Sequence, residues 1–224
     1  MSGEYFLLFE TKDSLPGYPV FFNYDVLDCN TSDLENDCLV YCKGDTVKLR
    51  SKNPKLSFDL ETVASNYFIS NILWEVICSY NAWNFVFKDA VFFGNNKKEV
   101  ATKKHKVLCF KNKYDPKYID RLKSLYVIPN FKHKRQAELY KPSVLYEVLN
   151  KYDIAPSQFS GYPNCLVVSD KVRFDRRLRN TKLEFIPIED AGRVLLLREN
   201  RVKQIYKVKD QSLLEQLPTI KGKQ

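Results

Sequence analysis

Two stretches of the chain share one order of residues, and that order limits what the chain can become. In the later stretch the apolar residues Cys165-Leu166-Val167-Val168 are followed by Ser169, Asp170 and a polar body, then by Leu183-Glu184-Phe185-Ile186-Pro187-Ile188. A short unbroken apolar run reads as a buried strand, serine is a preferred helix N-cap, and an acid in the first turn complements the helix dipole. The earlier stretch repeats this grammar with Asn66-Tyr67-Phe68-Ile69, Ser70, the body Asn71-Ile72-Leu73-Trp74-Glu75-Val76-Ile77, and Asn84-Phe85-Val86-Phe87. Setting Ser70 on Ser169 aligns both, and one extra residue before the second strand brings Phe85-Val86 onto Phe185-Ile186. The pattern reads as a worn internal duplication, segments 66–87 and 165–188, each a β-α-β unit.

The expected fold is therefore α+β: two related β-α-β-containing lobes packed as one compact unit with mixed, largely antiparallel sheets. Lobe 1 covers about 1–130 and lobe 2 about 131–224. With 224 residues, 44% hydrophobic, and only 7 Gly and 10 Pro, the chain is long enough and apolar enough to bury such a core. Within the first copy Ile72, Leu73, Val76, Ile77 and Tyr80 recur at helical spacing, so its helix offers a wide apolar stripe and is expected to be the more buried of the two.

Around the two copies, residues 4–9 and 18–24 read as strands, Leu39-Val40-Tyr41 and Thr46-Val47-Lys48-Leu49 as a hairpin turned at Lys43-Gly44-Asp45, and 106–110 as a strand. A helix is expected over 142–150, further strands over 194–197 and 204–208, and a short helix over 212–217. The start of the chain lacks the basic head and long apolar run of an export signal, and no apolar run approaches bilayer length, which together predict a soluble protein without an export signal. Of the six cysteines, Cys78, Cys109 and Cys165 fall within apolar runs and read as buried thiols. Cys38 and Cys42 have no second pair to complete a zinc site, so neither a metal nor another cofactor is expected.

Charge is unevenly distributed. Residues 97–141 hold 14 Lys plus Arg against 4 acids, more than the whole formal surplus of +9. Their basic loop Lys132-His133-Lys134-Arg135 lies among aromatics, the composition that follows a phosphate backbone, although no nucleic-acid-binding motif accompanies it. The connection over 25–37 is acidic and includes Asp33, Glu35 and Asp37, a pattern that fits a solvated loop or a decoy for a basic cleft. On the second helix Arg173, Arg176 and Arg177 fall on one face by spacing, with Phe174 and Leu178 on another. These arginines, Lys132 to Arg135, and Asp33, Glu35 and Asp37 are the candidate partner-binding residues.

Catalytic signatures are scarce. The sequence has no phosphate-binding glycine loop, no G-x-S-x-G elbow, no HExxH and no C-x-x-C. Cys109 and His105 share one face of a strand, which leaves a thiol–imidazole pair as the one nucleophilic candidate.

The segment Leu166-Val167-Val168-Ser169 through Phe185-Ile186-Pro187 resembles the C-terminal half of immunity proteins of bacterial polymorphic toxin systems. Tyr67-Phe68-Ile69-Ser70 is similar to an earlier unit of that group. So are Val107-Leu108-Cys109-Phe110 and Ile119-Asp120-Arg121-Leu122-Lys123-Ser124 to the strand and Ile-Asp-x-x-x-Ser stretch that follow it. The likeness spans about residues 60–190. It implies a non-enzymatic cytoplasmic inhibitor that binds one cognate toxin domain, delivered between bacteria by contact-dependent or secretion routes such as type VI secretion. The positive charge of the chain suggests an acidic toxin surface, and the acidic connection over 25–37 keeps a basic one open. A nucleic-acid-binding protein using residues 97–141 is the alternative.

Overall fold

The computed structural model describes residues 4–10, 24–27, 38–53, 55–63, 65–113, 115–127, 138–158, 165–192 and 219–221. The expected strand over 18–24, the strands over 194–197 and 204–208, and the helix over 212–217 lie wholly or almost wholly outside these residues. The fold is α+β, with mixed and largely antiparallel sheets.

The first copy begins with β4 (Leu60–Val63) and β5 (Asn66–Ser70), passes through α1 (Asn71–Ser79), and returns as β6 (Phe85–Phe93). β7 (His105–Phe110) then inserts between β5 and β6, antiparallel to both. The second copy has the same plan: β10 (Ile154–Pro156), β11 (Leu166–Ser169), α3 (Asp170–Arg173), a 3-10 turn Arg176–Asn180, and β12 (Leu183–Pro187). Its inserted strand is β1 (Tyr5–Glu10), which pairs antiparallel with β11 and β12. The strand orders are thus β4-β5-β7-β6 and β10-β11-β1-β12. In the first sheet β3 (Thr46–Ser51) adds parallel to β6 and β2 (Tyr24–Leu27) adds antiparallel to β3, making six strands. A third sheet joins β8 (Leu125–Val127) to β9 (Glu138–Lys141) and β13 (Thr219–Lys221), and α2 (Tyr146–Leu149) precedes β10.

The two copies are built by the same hydrogen bonds. Ser70 N–H donates to the Asp59 carbonyl (2.9 Å) and its hydroxyl to Asp59 Oδ1 (2.7 Å). Ser169 N–H donates to the Asp153 carbonyl (2.8 Å) and its hydroxyl to Asp153 Oδ1 (2.9 Å). The first helical N–H of each copy, on Asn71 and Asp170, donates to the carbonyl just ahead of the inserted strand, on Lys104 (3.0 Å) and Glu4 (2.9 Å). A lysine closes each carboxylate, Lys103 on Asp59 at 2.8 Å and Lys171 on Asp153 at 3.5 Å. Both serines are N-caps, and Ser70 Oγ also accepts from Leu73 N–H (3.5 Å).

The cores follow from the strand patterns. β5 and β11 are buried along their whole lengths, and β1 is buried from Tyr5 to Phe9, as expected of strands covered on both faces. One apolar cluster is shared between the two copies, including Phe6, Leu8, Tyr67, Ile69, Leu73, Ile77, Leu108, Val168 and Ile186. A second lies on the opposite face of the six-stranded sheet and includes Val47, Leu49, Phe58, Phe68, Phe92 and Val107. Polar junctions join the sheets: Glu10 at the end of β1 accepts from the Asp59 and Leu60 N–H groups, and Asp153 and Trp83 N–H groups donate to the Asn81 and Ile154 carbonyls (both 2.7 Å).

Several expectations are corrected. Leu39–Tyr41 is a 3-10 turn, not a strand, and β3 pairs with β2 and β6 instead of closing a hairpin on it. The turn is held by the Leu39 N–H donating to Asn66 Oδ1 (2.7 Å) and by a disulfide from Cys38 to Cys109. Cys109 is therefore not a thiol, and Cys42 is disulfide-bonded too; Cys165 is a buried thiol, whereas Cys78 is an exposed one. The second strands match two residues away from the sequence alignment. Glu10 opposite Leu183 occupies the place of Phe110 opposite Phe85, so Leu183 is the partner of Phe85. A shift of two preserves the strand face, which is why residue patterns could not detect it. The helix expected over 142–150 is reduced to α2, and Ile72 of the α1 stripe is exposed.

Ser70→Ala is expected to destabilise the fold by about 2 kcal/mol, because it removes a cap and leaves the buried Asp59 without its hydroxyl donor. Ser169→Ala should cost about 1 kcal/mol, since Ser169 makes no side-chain bond to its helix. Removing the Cys38–Cys109 link, which closes a separation of 71 residues, should cost about 2–4 kcal/mol. Urea unfolding of the three variants, with and without reductant, measures each.

Candidate interaction surface

The arginine-bearing segment of the second copy is not one helix. α3 ends at Arg173, and after Phe174 the Asp175 carboxylate accepts from the Arg177 N–H and caps a separate 3-10 turn. Aspartate is a preferred cap, so residue 175 stops one turn and starts the next. This break separates residues that helical spacing had grouped. Leu178 turns into the core, whereas Phe174 is 67% exposed, the most open of the large apolar side chains among the described residues.

The three arginines singled out by sequence have different surroundings. Arg173 lies with its guanidinium carbon 4.3 Å from the centroid of the Phe6 ring and 5.4 Å from that of Phe174, a stacked arrangement that orders a long side chain at an exposed position. Arg177 makes a two-point contact with Asp175, Nε to Oδ1 at 3.0 Å and Nη2 to Oδ2 at 2.6 Å. Its Nη1 donates to the Glu75 carbonyl (3.2 Å) and Ser79 Oγ (3.0 Å) at the end of α1. Tyr80 adds a hydroxyl bond to Asp175 Oδ2 (3.1 Å). Arg177 is thus a strut between the two copies. Arg176 is exposed, as is Arg179, which the sequence reading had not singled out.

Elsewhere on α1, Trp74 lies against Phe87 of β6 with the rings tilted by 45° (centroids 4.3 Å apart), and Lys106 Nζ sits 5.2 Å and 5.5 Å from the two ring centroids while pairing with Asp89 at 2.6 Å. Phe87 is 47% exposed. Cys78 is beside this group, its thiol pushed up by burial and partly offset by Lys106.

Other candidates resolve differently. Lys132, His133, Lys134, Arg135, Asp33, Glu35 and Asp37 lie outside the described residues. The Cys109–His105 pair carries no nucleophile, because the sulfur is in a disulfide. His105 is buried against the Phe58 carbonyl (3.1 Å to Nε2), and burial lowers its pKa. Within the basic segment Lys103 and Lys106 are ion-paired and Lys113 is buried over the Tyr67 ring (5.5 Å), its ammonium pushed down to about 8 by desolvation. Among the described residues, no three His, Cys, Asp or Glu side chains gather as a metal would require. No helix among them is long and apolar enough to cross a membrane.

The Arg177 contact holds the Asp175 carboxyl down to about 2, first through the guanidinium bond. A depressed carboxylate stabilises the native state above its unfolded value of about 3.8, and this contribution is lost as pH falls through the folded value. The junction between α1 and the 3-10 turn is therefore expected to hold at pH 5 and to loosen between about pH 4 and pH 2. Asp175→Asn should loosen it at every pH and abolish the acid transition, with amide exchange of Arg177 and Leu178 as the readout. No family model and no curated protein matches this chain.

Proposed function

We propose that the chain is an immunity protein, which binds and neutralises one cognate bacterial toxin by direct protein contact and performs no chemistry on it. The observation that carries this reading is the realised duplication. The residues on which the likeness to polymorphic-toxin immunity proteins rests, around Ser70 and Ser169, form one structural unit twice, locked by the same Asp–Ser bonds. Such a scaffold suits inhibition: it is over-determined by paired polar locks and a shared core, and it leaves aromatic and arginine side chains on its surface.

Nucleic-acid binding by residues 97–141 has less behind it. Lys103 and Lys106 are spent on carboxylates and Lys113 on the core, which removes three cations from any phosphate-tracking groove. The cytoplasmic placement that accompanies the immunity reading has one feature against it. Disulfides are rare in a reducing cytosol, and in this chain Cys38 is bonded to Cys109 within the second core while Cys42 of the same core is disulfide-bonded as well.

Co-expression with the toxin domain encoded beside the gene is expected to rescue cells that die when that domain is expressed alone. The purified pair should co-elute as a one-to-one complex in size-exclusion chromatography with light scattering. Death despite equal expression would sink the proposal. Retention on nucleic acid with a steep salt slope, lost on neutralising Lys132, Lys134 and Arg135, would favour the alternative.

A further inference from the structure

We infer that Phe174 and its surrounding arginines form the docking surface, and that its occupant is an acidic protein face; this rests on the immunity reading and says where and by what chemistry the toxin is met. Between Asp170 and Lys182 the chain holds six bases, Lys171, Arg173, Arg176, Arg177, Arg179 and Lys182, against two acids. Asp175 and Arg177 neutralise each other and Lys171 is paired with Asp153, which leaves Arg173, Arg176, Arg179 and Lys182 against Asp170. The exposed charge is thus positive around an aromatic ring that is 67% open among the described residues, and its complement is a patch of carboxylates around an apolar recess.

The geometry divides the labour. Phe174 is the apolar anchor. Arg173 is held on the Phe6 face, so its guanidinium is ordered before a partner arrives and less entropy is lost on binding. Arg176 and Arg179 are the outward cations. Arg177 is a positioning residue that fixes the 3-10 turn against α1 and has little donor capacity left for a partner. A protein is a better fit than a phosphate backbone because acids interrupt the surface. Glu75 is exposed on the neighbouring α1 and Asp170 heads α3, and both would repel a continuous run of phosphates.

The test is calorimetry of the full chain against a catalytically inactive form of the toxin domain encoded beside the gene, at low and high salt. Phe174→Ser is expected to weaken binding at least about 30-fold. The double variant Arg176→Glu with Arg179→Glu should weaken it about 10-fold or more and flatten its salt dependence. Both sites are exposed, and unchanged thermal unfolding confirms that the variants fold. Wild-type binding with unchanged affinity in both variants would overturn the assignment of this surface while leaving the immunity reading intact. No binding by the wild type would overturn both. Tighter binding of a labelled single-stranded oligonucleotide than of the toxin, or self-association, with either lost in Phe174→Ser, would overturn the partner class.

Discussion

The fold depends on how a strand is made to stop and a helix to start at Ser70 and Ser169. At each place a serine closes a strand buried on both faces, and its backbone and hydroxyl both bond one aspartate at the head of the preceding strand. The aspartate must give up water to reach that position, and it recovers the loss through the serine hydroxyl and a lysine. The strand hairpin, the helix start and the inserted central strand all converge on this point, so an error there would misplace three elements together. The same arrangement in both copies explains how their sequences can diverge almost completely while the plan persists.

Much of this plan was legible in the residues. Uninterrupted apolar runs marked β5 and β11 because both faces of each are covered, and the serines marked the helix starts because few other residues cap so well. The role of Asp59 and Asp153 was missed, although each stands before an apolar residue that opens a strand, as Asp59-Leu60 and Asp153-Ile154. Their contact to serine spans a hairpin of different length in each copy, so no fixed spacing announces it. The pairing of β1 with β11 and β12 was equally invisible, since periodicity reports burial and not the identity of a neighbour.

The candidate surface was only half legible. Arginine enrichment was plain, but a continuous helix was assumed, and that placed Phe174 inside and Arg177 outside. The structure instead leaves Phe174 open and ties the exposed Arg177 to Asp175 and the end of α1, because Asp175 interrupts the helix. An aspartate in the middle of a short basic helix is the signal that would have shown the break. Likewise Cys109 looked like a core thiol because its strand is apolar. Its partner Cys38 comes from a 3-10 turn whose pattern imitates a strand.

The position of β1 has a consequence for biosynthesis. Tyr5 pairs with Ser169 and Phe6 with Pro187, so β1 leaves the ribosome long before either of its partners. Until then Tyr-Phe-Leu-Leu-Phe is an unpaired, uncharged strand with both edges open, a segment prone to association with other nascent chains. The first copy, whose inserted strand follows it directly, can close on its own as it emerges. The second is sealed only when β1 is recaptured by β11 and β12, which makes the interval between their syntheses the stage at which chaperones matter most for this architecture.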